Sequence, residues 1–274
     1  MIFIKNKNIT VAHKLVQHFP FVADFLINLG GLFLGIKVYF KSGLVFLYIH
    51  NVPERYLNDF KKLIIDLKKE FIFVSTPEAV ELIKNDRIND KYIHLSFDDG
   101  FYDNYKASLC LKELGAATTF FVTTNLIDGI FDDIESPFKE EAMRQKRMSW
   151  GDIKAISDNG FEIGSHSCNH PVFCSLKKED VYFEMVNSKK RLENKIQKEV
   201  VSFSFPYGRF ERHFDNSHLV IARDVGYKYI FSTDLQVYKH GSDLSNYICR
   251  YGIEPYFSSR SVEILINGLL SKFR

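Results

Sequence analysis

Three short motifs place carboxylates, imidazoles and a tight turn in an order that can build a catalytic metal site with its own base. They are SFDDG at 96–100, HSCNH at 166–170 and FPYG at 205–208. Asp98 and Asp99 are adjacent, so one carboxylate can bind a divalent cation while the other takes a proton from the water that the cation activates. His166 and His170 complete a set of three ligands with the binding carboxylate. Such a set suits zinc and the neighbouring first-row metals and leaves a coordination position open.

The two carboxylates alone are a weak signal, because Asp-Gly is a common turn sequence. The run that precedes them, at 92–97, is apolar and β-prone, so Asp98 and Asp99 lie at the carboxyl end of a predicted inner strand. Barrel enzymes carry their catalytic residues at this end of their strands. The placement therefore favours a functional role over a solvated turn.

The histidine pair follows a strand-like run at 161–164. One turn of helix or a tight loop would bring the rings of His166 and His170 onto one side of the chain. Cys168 lies between them but, two positions along, points elsewhere, and we interpret it as a small buried thiol. The spacing, taken together with the upstream carboxylates, indicates a metal site.

The third motif predicts a turn that can approach a ligand. Pro206 stiffens the chain, and Gly208 allows the backbone to come close to a bound molecule. The amide of Tyr207 could then donate to the oxyanion of a tetrahedral intermediate. This motif therefore adds a candidate oxyanion donor to the metal site and its base.

The order of these motifs resembles that of the polysaccharide deacetylase family, which includes the NodB-homology domains of carbohydrate esterase family 4. The similarity runs from about Gly43 to Ile253 and includes four further segments: VFLYIHNV at 45–52, ATTFFV at 117–122, MSWGDI at 148–153 and FEIG at 161–164. The resemblance implies an α/β fold, a distorted (β/α)7-type barrel. It also implies a divalent metal, with zinc first and cobalt, nickel or manganese as alternatives, and hydrolysis of the N-acetyl group of an amino sugar.

The resemblance also assigns roles to single residues. Asp98 would be the general base, and the metal ligands would be Asp99, His166 and His170. The histidine that such proteins carry near the C-terminus as general acid is missing from 247–274. His50, at the end of the first apolar strand, is our candidate for that role and His240 a weaker one, with a core or rim histidine as the alternative for both. Asp234 is a candidate orienting carboxylate or a simple turn residue.

The chain departs from the family pattern at Ser204, which stands where an arginine normally orients the base. Something else must then hold Asp98 in place. We predict that Arg250, in the strand-like run 247–251, supplies the missing guanidinium. The alternative is an ordinary surface arginine.

The chain as a whole has the size and pattern of one barrel domain. With 274 residues, 46% of them hydrophobic, it can bury a full core. Apolar β-prone runs alternate with helical segments, which is typical of a parallel sheet with crossover helices. The seven predicted strands are at 44–49, 92–97, 118–122, 161–164, 200–205, 227–231 and 247–251. We predict an N-terminal apolar helical segment at 1–42 and a catalytic domain at 43–274.

Composition limits the choice of partners and compartment. The net charge is +2, so nothing in the overall balance indicates nucleic acid as a partner. The lysine-rich stretch 176–198 carries glutamates at helical spacing, which indicates a solvated helix face. The four cysteines form no CxxC pair, which favours reduced thiols and hence the cytoplasm.

An apolar stretch at 19–40 is interrupted by Asp24, Asn28, Lys37 and a Gly-Gly pair. It fits neither an uninterrupted spanning helix nor a cleavable secretory signal. We expect it to lie on a membrane face, to pack on the barrel, or to form a contact between subunits of a homo-oligomer. The predicted location is the cytoplasm or the cytoplasmic face of the inner membrane, with export left open.

The sequence indicates the class of substrate through residues that could contact a sugar. Tyr102 and Trp150 are candidates for stacking on sugar faces, Pro206 would line the same pocket, and 128–147 is a predicted insertion at the barrel mouth. The expected substrate is an N-acetylated amino sugar, either a nucleotide- or lipid-linked precursor or a glycan in surface polysaccharide or lipopolysaccharide biosynthesis. A deformylase or non-sugar amidase, or a non-catalytic glycan-binding barrel, is the alternative.

Overall fold

The computed structural model describes residues 24–25, 27–29, 41–132, 138–244 and 246–271, the last four by backbone alone. Nine strands form one sheet within these residues. They are β1 (Gly43–Ile49), β2 (Ile72–Phe73), β3 (Lys91–Phe97), β4 (Thr118–Val122), β5 (Glu162–Ser165), β6 (Ser202–Ser204), β7 (Tyr229–Phe231), β8 (Val237–Tyr238) and β9 (Tyr251–Gly252).

The helices lie mainly between successive strands. They are α1 (Leu57–Glu70), α2 (Thr76–Lys84), α3 (Tyr102–Leu114), α4 (Thr124–Asp128), α5 (Phe138–Arg144), α6 (Trp150–Asp158), α7 (Lys178–Ile196), α8 (Asn216–Asp224) and α9 (Ser259–Ser271). Short 3₁₀ helices cover Glu54–Tyr56 and Phe173–Ser175. This alternation is the βα pattern expected of crossover connections.

The sheet runs in the order β7-β6-β5-β4-β3-β1-β8, with β2 beside β3 and β9 beside β1. All pairs are parallel except β1 with β8. The segment 248–252 joins the two ends of the parallel array, because Ile248 bridges to Phe231 of β7 and Tyr251 pairs with Leu47 of β1. The strands therefore curl into the distorted (β/α) barrel that the sequence predicted.

The barrel interior is filled in layers by side chains that alternate along each strand. Phe231 packs edge-on to two other inward-facing rings, 5.0 Å from Phe121 and 6.1 Å from Phe46 between ring centroids. On β3, His94 and Ser96 point inward in turn before the chain reaches Asp98. The phenylalanines thus form an apolar layer directly beneath the end of the barrel at which the strands of the parallel array end.

Several predicted strands are confirmed, and others differ in length. The strands predicted at 44–49, 92–97 and 118–122 are β1, β3 and β4, with an extra first residue in β1 and β3. The run at 247–251 is not a continuous strand, since only a bridge at Ile248 and the short β9 form there. Two-residue strands such as β8 were not predicted, because two residues carry no measurable alternation.

Two other segments are helical. The predicted solvated helix at 176–198 is α7, and the predicted mouth insertion at 128–147 contains α5. All four cysteines are free, and Cys168 is buried, as predicted. No helix in the described part of the chain combines the length and apolar character needed to cross a membrane.

Most of the apolar stretch 19–40 lies outside the described residues, and the predicted boundary at residue 42 stays a prediction. The described residues of this stretch contact the start of α9. Asp24 Oδ1 accepts a hydrogen bond from the backbone N–H of Ser258 at 2.8 Å, and Asn28 Nδ2 donates to Ser261 Oγ at 2.7 Å. These contacts favour packing on the barrel for at least this part of the stretch; membrane contact and homo-oligomer formation remain predictions.

Candidate functional site

The three predicted metal ligands meet at the carboxyl ends of β3 and β5. Asp99 Oδ1 lies 3.5 Å from His166 Nε2 and 3.4 Å from His170 Nε2, and all three side chains are buried. Asp99 follows β3 directly, and the loop after β5 carries both histidines. The structure therefore brings together the residues that the sequence spacing grouped.

The ligand-bearing loops have strained backbone conformations. Asp99, Ser167 and His170 have φ angles of 77°, 69° and 57°, in the left-handed region that residues other than glycine rarely adopt. Such conformations cost on the order of 1–3 kcal/mol each and concentrate at functional sites. The strain aims the carboxylate and both imidazoles at one point, which side chains on relaxed loops would not reach together.

The chemistry of this donor set fits a divalent cation. Asp99 Oδ1 is buried and has no hydrogen-bond partner among the described residues, and its contacts with the two imidazoles are too long for strong hydrogen bonds. The other ring nitrogen of His166, Nδ1, lies 2.8 Å from the carbonyl oxygen of Ser204. That contact requires Nδ1 to carry the proton, so Nε2 presents its lone pair toward Asp99, as a metal ligand must.

Burial and charge set the protonation states of the ligands. Burial lowers the pKa of His166 to about 4, so its imidazole is neutral near pH 7. Burial acts to raise the pKa of Asp99, but the facing imidazoles, with His170 first, outweigh it and hold that pKa below its ordinary value. A carboxylate and neutral imidazoles are the forms that bind a metal.

Arg250 holds both oxygens of Asp98. Its Nη1 donates to Asp98 Oδ1 at 2.7 Å and its Nη2 donates to Asp98 Oδ2 at 2.8 Å. The remaining N–H groups donate to Ser96 Oγ, Ser204 Oγ and the carbonyl of Ser232, so all five guanidinium donors have partners. The guanidinium therefore lies where the sequence prediction placed it, and its effect on turnover stays a prediction.

The ion pair is fully enclosed. Arg250 is 0% exposed, and its guanidinium carbon lies 4.8 Å from the ring centroid of Tyr48 and 5.1 Å from that of Phe121. Burial acts to raise the pKa of Asp98, but the charge of Arg250 outweighs it and lowers the pKa. Asp98 is therefore ionised, and its orientation is fixed by a two-point contact.

Ser204 links the base to the metal ligands. Its hydroxyl accepts a hydrogen bond from Arg250 Nη2 at 2.6 Å, and its carbonyl accepts one from His166 Nδ1 at 2.8 Å. A serine side chain leaves room for the guanidinium, which enters from the segment that pairs with β7. The two departures from the expected pattern are thus linked: Ser204 stands where an arginine was expected, and Arg250 supplies the guanidinium from another segment.

The turn of the third motif lies against the metal ligands. Tyr207 has a φ of 60°, and its ring centroid is 4.8 Å from that of His170. The carbonyl of Tyr207 accepts a hydrogen bond from Thr233 Oγ1 at 2.8 Å, and Pro206 is buried behind it. Gly208 has a φ of 64°, and a Cβ there would lie 2.8 Å from the backbone nitrogen of Thr233. Glycine is therefore required at this close approach.

His50 lies at the rim of the site. Its side chain is exposed, its ring centroid is 5.3 Å from that of Tyr48, and its charge lowers the pKa of both Asp98 and Asp99. It follows β1 directly and is exposed, so it is open to substrate, as a general acid needs to be. The alternative, His240, is exposed and pairs with Asp86 Oδ2 at 2.5 Å. No contact of His240 with the metal-ligand group is found among the described residues.

The other predicted substrate residues differ in position. Tyr102 is half-buried just after the first motif, with Lys146 Nζ 3.6 Å from its ring centroid. Trp150 donates its indole N–H to Asp128 Oδ1 at 2.6 Å, and Lys195 lies over its ring. Those contacts are with α4 and α7, and contact of Trp150 with substrate stays a prediction.

Asp234 serves the third-motif loop, because its Oδ2 accepts a hydrogen bond from the backbone N–H of Phe210 at 3.2 Å. His213 serves the same loop. Its Nδ1 accepts a hydrogen bond from the backbone N–H of Arg209 at 3.1 Å, and its imidazole also hydrogen-bonds the backbone of Tyr207. Sequence reasoning did not single out His213, which belongs to no motif.

The insertion between β4 and α6 reaches the mouth of the barrel. Phe138, the first residue of α5, stacks on His170 with ring centroids 3.8 Å apart. One turn further along, Glu141 Oε1 accepts a hydrogen bond at 3.3 Å from Asn51, next to His50. The helix therefore walls one side of the metal-ligand group. Phe138 was not predicted from the sequence as a site residue, because its position within the insertion at 128–147 was the only indication that it lies near the site.

A second group of metal-binding residue types has a structural explanation. Donor atoms of Cys174, Asp215 and His218 lie within 4.8 Å of one another. However, Asp215 Oδ1 accepts from the backbone N–H of Ser217 at 2.8 Å, and the backbone N–H of Asp215 donates to His218 Nδ1 at 3.0 Å. These contacts are those of a capping box at the start of α8. They occupy the donors that a metal would need.

Comparison with protein families gives one match that covers the site. The model of a family described as polysaccharide deacetylase matches residues 85–230, just over half of the chain. The matched range contains the three metal-ligand candidates and the candidate base, whereas His50 and Arg250 lie outside it. Among curated proteins, YxkH of Bacillus subtilis (strain 168), whose name places it with the polysaccharide deacetylases, is 25% identical over 162 residues. That alignment covers 58% of this chain and spans about half, 51%, of YxkH.

Solved structures share the fold. The Streptococcus pyogenes deacetylase PplD, in complex with acetate, is 22% identical, with a TM-score of 0.63 over 81% of this chain and 96% of that chain. IcaB from Ammonifex degensii is 21% identical, with a TM-score of 0.64 over 82% of this chain and 97% of that chain. The deacetylase domain of BpsB from Bordetella bronchiseptica is 18% identical, with a TM-score of 0.60 over 77% and 96%. At these identities the similarity establishes the fold alone.

Proposed function

The chain belongs to the polysaccharide deacetylase family, and from this premise we propose that it is a metal-dependent hydrolase that removes the N-acetyl group from an amino sugar. The observation that carries the proposal is a buried, two-point ion pair between Asp98 and Arg250 beside a three-ligand group. An aimed, ionised carboxylate next to an unpartnered Asp99 oxygen is what a general base beside a metal requires. A non-catalytic barrel would not need to retain this arrangement.

The metal ligands would be Asp99, His166 and His170, with zinc as the first choice. A divalent cation at this position supplies Lewis acidity, which lowers the pKa of a water and polarises a carbonyl. Carboxylate and imidazole donors suit zinc, and cobalt, nickel and manganese accept the same donors. The fixed tautomer of His166 means that this ligand needs no rearrangement before binding.

The base and its partner control the proton. Arg250 keeps the carboxylate of Asp98 ionised and aimed until the attacking water arrives, and Asp98 then accepts a proton from that water and becomes neutral. The water oxygen then forms a bond to the acetamido carbon, and the C–N bond breaks as the amine leaves with a proton. The products are acetate and the free amino sugar, so atoms and charge balance without a further reactant.

Two residues at the mouth complete the proposed mechanism. The amide of Tyr207 would donate to the oxyanion, since its turn lies against His170. His50, exposed at the rim, would protonate the leaving amine. Tyr102 would contact the sugar. The proposed substrate is a nucleotide- or lipid-linked precursor, or a glycan, in surface polysaccharide or lipopolysaccharide assembly, a step that rests on family analogy.

The ligand assignment predicts that Asp99→Ala and His166→Ala lose the metal. Removing one of three ligands leaves too few donors for tight binding, so metal content should fall from about one per chain to near zero. Elemental analysis after gel filtration measures this. His240→Ala, at an exposed histidine paired with Asp86, is the control and should keep its metal. Equal metal content in all four proteins would refute the assignment.

The assignment of the base predicts that Asp98→Asn keeps the metal and loses turnover. The amide preserves size but cannot accept the proton of water, and general-base catalysis contributes about 10²–10⁴-fold. Acetate release from nucleotide- and lipid-linked N-acetyl amino sugars is the measurement. A near-normal rate in the variant would move the role of base to another residue.

A further inference from the structure

A buried carboxylate on α7 supports the loop that carries the two histidines. Glu184 is 5% exposed, and three N–H groups of the loop converge on it. Its Oε2 accepts hydrogen bonds from the backbone N–H of Cys168 at 2.8 Å and of Asn169 at 2.9 Å, and its Oε1 accepts one from Asn169 Nδ2 at 2.7 Å. Among the described residues Glu184 makes no hydrogen bond to either imidazole ring, so it acts on the loop between them.

The contacts continue from the loop to a cation on the same helix. Asn169 Oδ1 accepts a hydrogen bond from Asn125 Nδ2, and Asn125 Oδ1 accepts one from Arg191 Nη1 at 2.7 Å. Asn125 is 8% exposed and Asn169 is 7% exposed. Arg191 also contacts Asp128 Oδ2 at 2.7 Å. A line of four side chains therefore starts at Arg191, passes beneath the metal-ligand loop and ends at Glu184.

The charged ends determine how both amides point. A guanidinium only donates hydrogen bonds, so Asn125 must turn its oxygen toward Arg191 and its NH₂ toward Asn169. Asn169 must then accept with its oxygen and present its own NH₂ to Glu184, whose carboxylate only accepts. The two ends therefore require the same orientation, and no other arrangement of the amides satisfies every contact.

The loop needs such support because of its conformation. Ser167 and His170 are both left-handed, a conformation that residues other than glycine adopt uncommonly and that serine does not favour. The backbone of α4 adds two contacts, since the N–H of Thr124 donates to the carbonyl of Ser167 at 3.1 Å and that of Asn125 donates to the carbonyl of Cys168 at 3.0 Å. Asn125 thus contacts the loop through both its backbone and its side chain.

We propose that Arg191, Asn125, Asn169 and Glu184 form a polarised relay that positions His166 and His170 to bind the metal, an inference that rests on the metal site of the proposed function. The relay residues are positioning residues, since they act through the loop backbone. The relay makes metal affinity depend on a surface arginine, Arg191, that lies beyond the ligands and their immediate neighbours.

Glu184→Gln tests the carboxylate end of the relay. The glutamine oxygen can still accept the two backbone N–H groups, but its NH₂ then faces the NH₂ of Asn169, a contact between two donors. We expect the dissociation constant for Zn²⁺ or Co²⁺ to rise about 10–100-fold, the usual effect of losing a residue that orients metal ligands. Competition with a chelator gives the constant, and the visible spectrum of the Co²⁺ protein reports the ligand geometry. Glu179→Gln, at an exposed glutamate of the same helix, is the matched control.

Arg191→Met tests the other end, and it also covers the case in which Glu184→Gln does not fold. The variant removes the donor that orients Asn125, so the metal dissociation constant should again rise while thermal unfolding of the metal-free protein changes little. If the four residues form a relay, the double variant Glu184→Gln, Arg191→Met should raise the metal dissociation constant about as much as the stronger single variant does. Independent effects would instead multiply. Multiplicative effects, or unchanged affinity in Arg191→Met, would overturn the relay.

The outcome is separable from that of the proposed function. Wild-type protein that binds metal, loses it in His166→Ala and releases no acetate would contradict the proposed function and leave the relay supported by the affinity data. Reduced thermal stability with unchanged metal affinity and an unchanged Co²⁺ spectrum in both relay variants would overturn the relay and leave a structural role. Wild-type protein that binds no metal would overturn both.

Discussion

At the scale of single residues, the site depends on one exchange between two walls of the barrel. A serine at 204 leaves space that the guanidinium of Arg250 fills, and the guanidinium reaches Asp98 from the segment between Ile248 and β9. Removing the guanidinium would leave a buried carboxylate without a counter-charge, which is costly.

We expect Arg250→Met to reduce kcat at least about tenfold while metal content stays near wild type. Asp98 must be ionised to accept a proton, and its pKa is held down by Arg250. Without the guanidinium the pKa of Asp98 rises. The acidic limb of the pH dependence of kcat should therefore move to higher pH by about 1–3 units. The pH dependence of kcat measures the shift. Arg260→Met, at an exposed arginine, is the control, and coincident acidic limbs for Arg250→Met and wild type would contradict the role.

At the scale of elements, β5 is packed closely at Gly164, where the ring of Phe121 from the neighbouring β4 lies over its backbone. A Cβ on Gly164 would lie 2.4 Å from a ring carbon of Phe121 and 3.2 Å from the carbonyl oxygen of Ser202. Gly164 is two residues before His166, so the close approach sets where the first histidine leaves the strand. Phe121 also packs against Arg250, which ties this approach to the base.

Gly164→Ala should therefore destabilise the fold by about 1–3 kcal/mol, the usual cost of overpacking, and weaken metal binding by moving His166. Denaturant unfolding and a metal titration are the two measurements. Gly151→Ala in α6 adds the same methyl group where the nearest atom is 3.5 Å away. It should be neutral or stabilising, because alanine favours a helix over glycine. Equal stabilities for the two variants would show that the ring of Phe121 can move aside.

At the scale of the whole molecule, the barrel interior holds a buried histidine among its phenylalanines. His94 is 0% exposed, with Nε2 3.0 Å from Thr76 Oγ1 and 3.1 Å from Thr119 Oγ1. Its ring centroid lies 5.1 Å from that of Phe46. Burial, and then the charge of Arg250, lower the pKa of His94 to about 3. This histidine is therefore neutral in the folded protein at any pH at which the enzyme is expected to work.

The buried His94 predicts a pH dependence of stability. In the unfolded chain His94 takes up a proton below about pH 6.5, whereas in the folded protein it does so only near its lowered pKa. The contribution of His94 to the free energy of unfolding is therefore fully present above pH 6.5 and is lost as the pH falls. The loss is at most about 1.4 kcal/mol per pH unit. His94→Gln should show a shallower fall in the free energy of unfolding between pH 6.5 and 4.5, measured by denaturant titration of metal-free protein. Parallel curves would mean that His94 is protonated in the fold.

The sequence predicted what depends on local patterns. The alternation in β3 placed Asp98 and Asp99 at a strand end, and four-residue spacing grouped His166 with His170. The missing arginine was informative because a buried carboxylate needs a counter-charge, so its replacement could be sought among the remaining arginines. The first two inferences need only the neighbours of a residue along the chain, whereas the third also needs the chemistry of a buried carboxylate.

Other parts of the site depend on packing between distant elements. Phe138 lies outside every motif, and nothing local indicates that its ring stacks on His170. Glu184 looks like one of many glutamates on a solvated helix, and only the fold shows that the loop covers it. Trp150 was assigned to substrate by residue type, but its helix turns the indole toward Asp128.

The pairing of Asp98 with Arg250 also has a consequence for how the protein is made. The two residues are 152 positions apart, so during synthesis the carboxylate leaves the ribosome long before its counter-charge exists. Enclosing an unpaired carboxylate is unfavourable, so the barrel cannot close stably around Asp98 until the segment with Arg250 arrives. That segment also joins β7 to β1. The nascent chain therefore gains its enclosed barrel and its oriented Asp98 in one event, and a chain interrupted before residue 250 would carry every proposed metal ligand but lack the guanidinium that orients the proposed base.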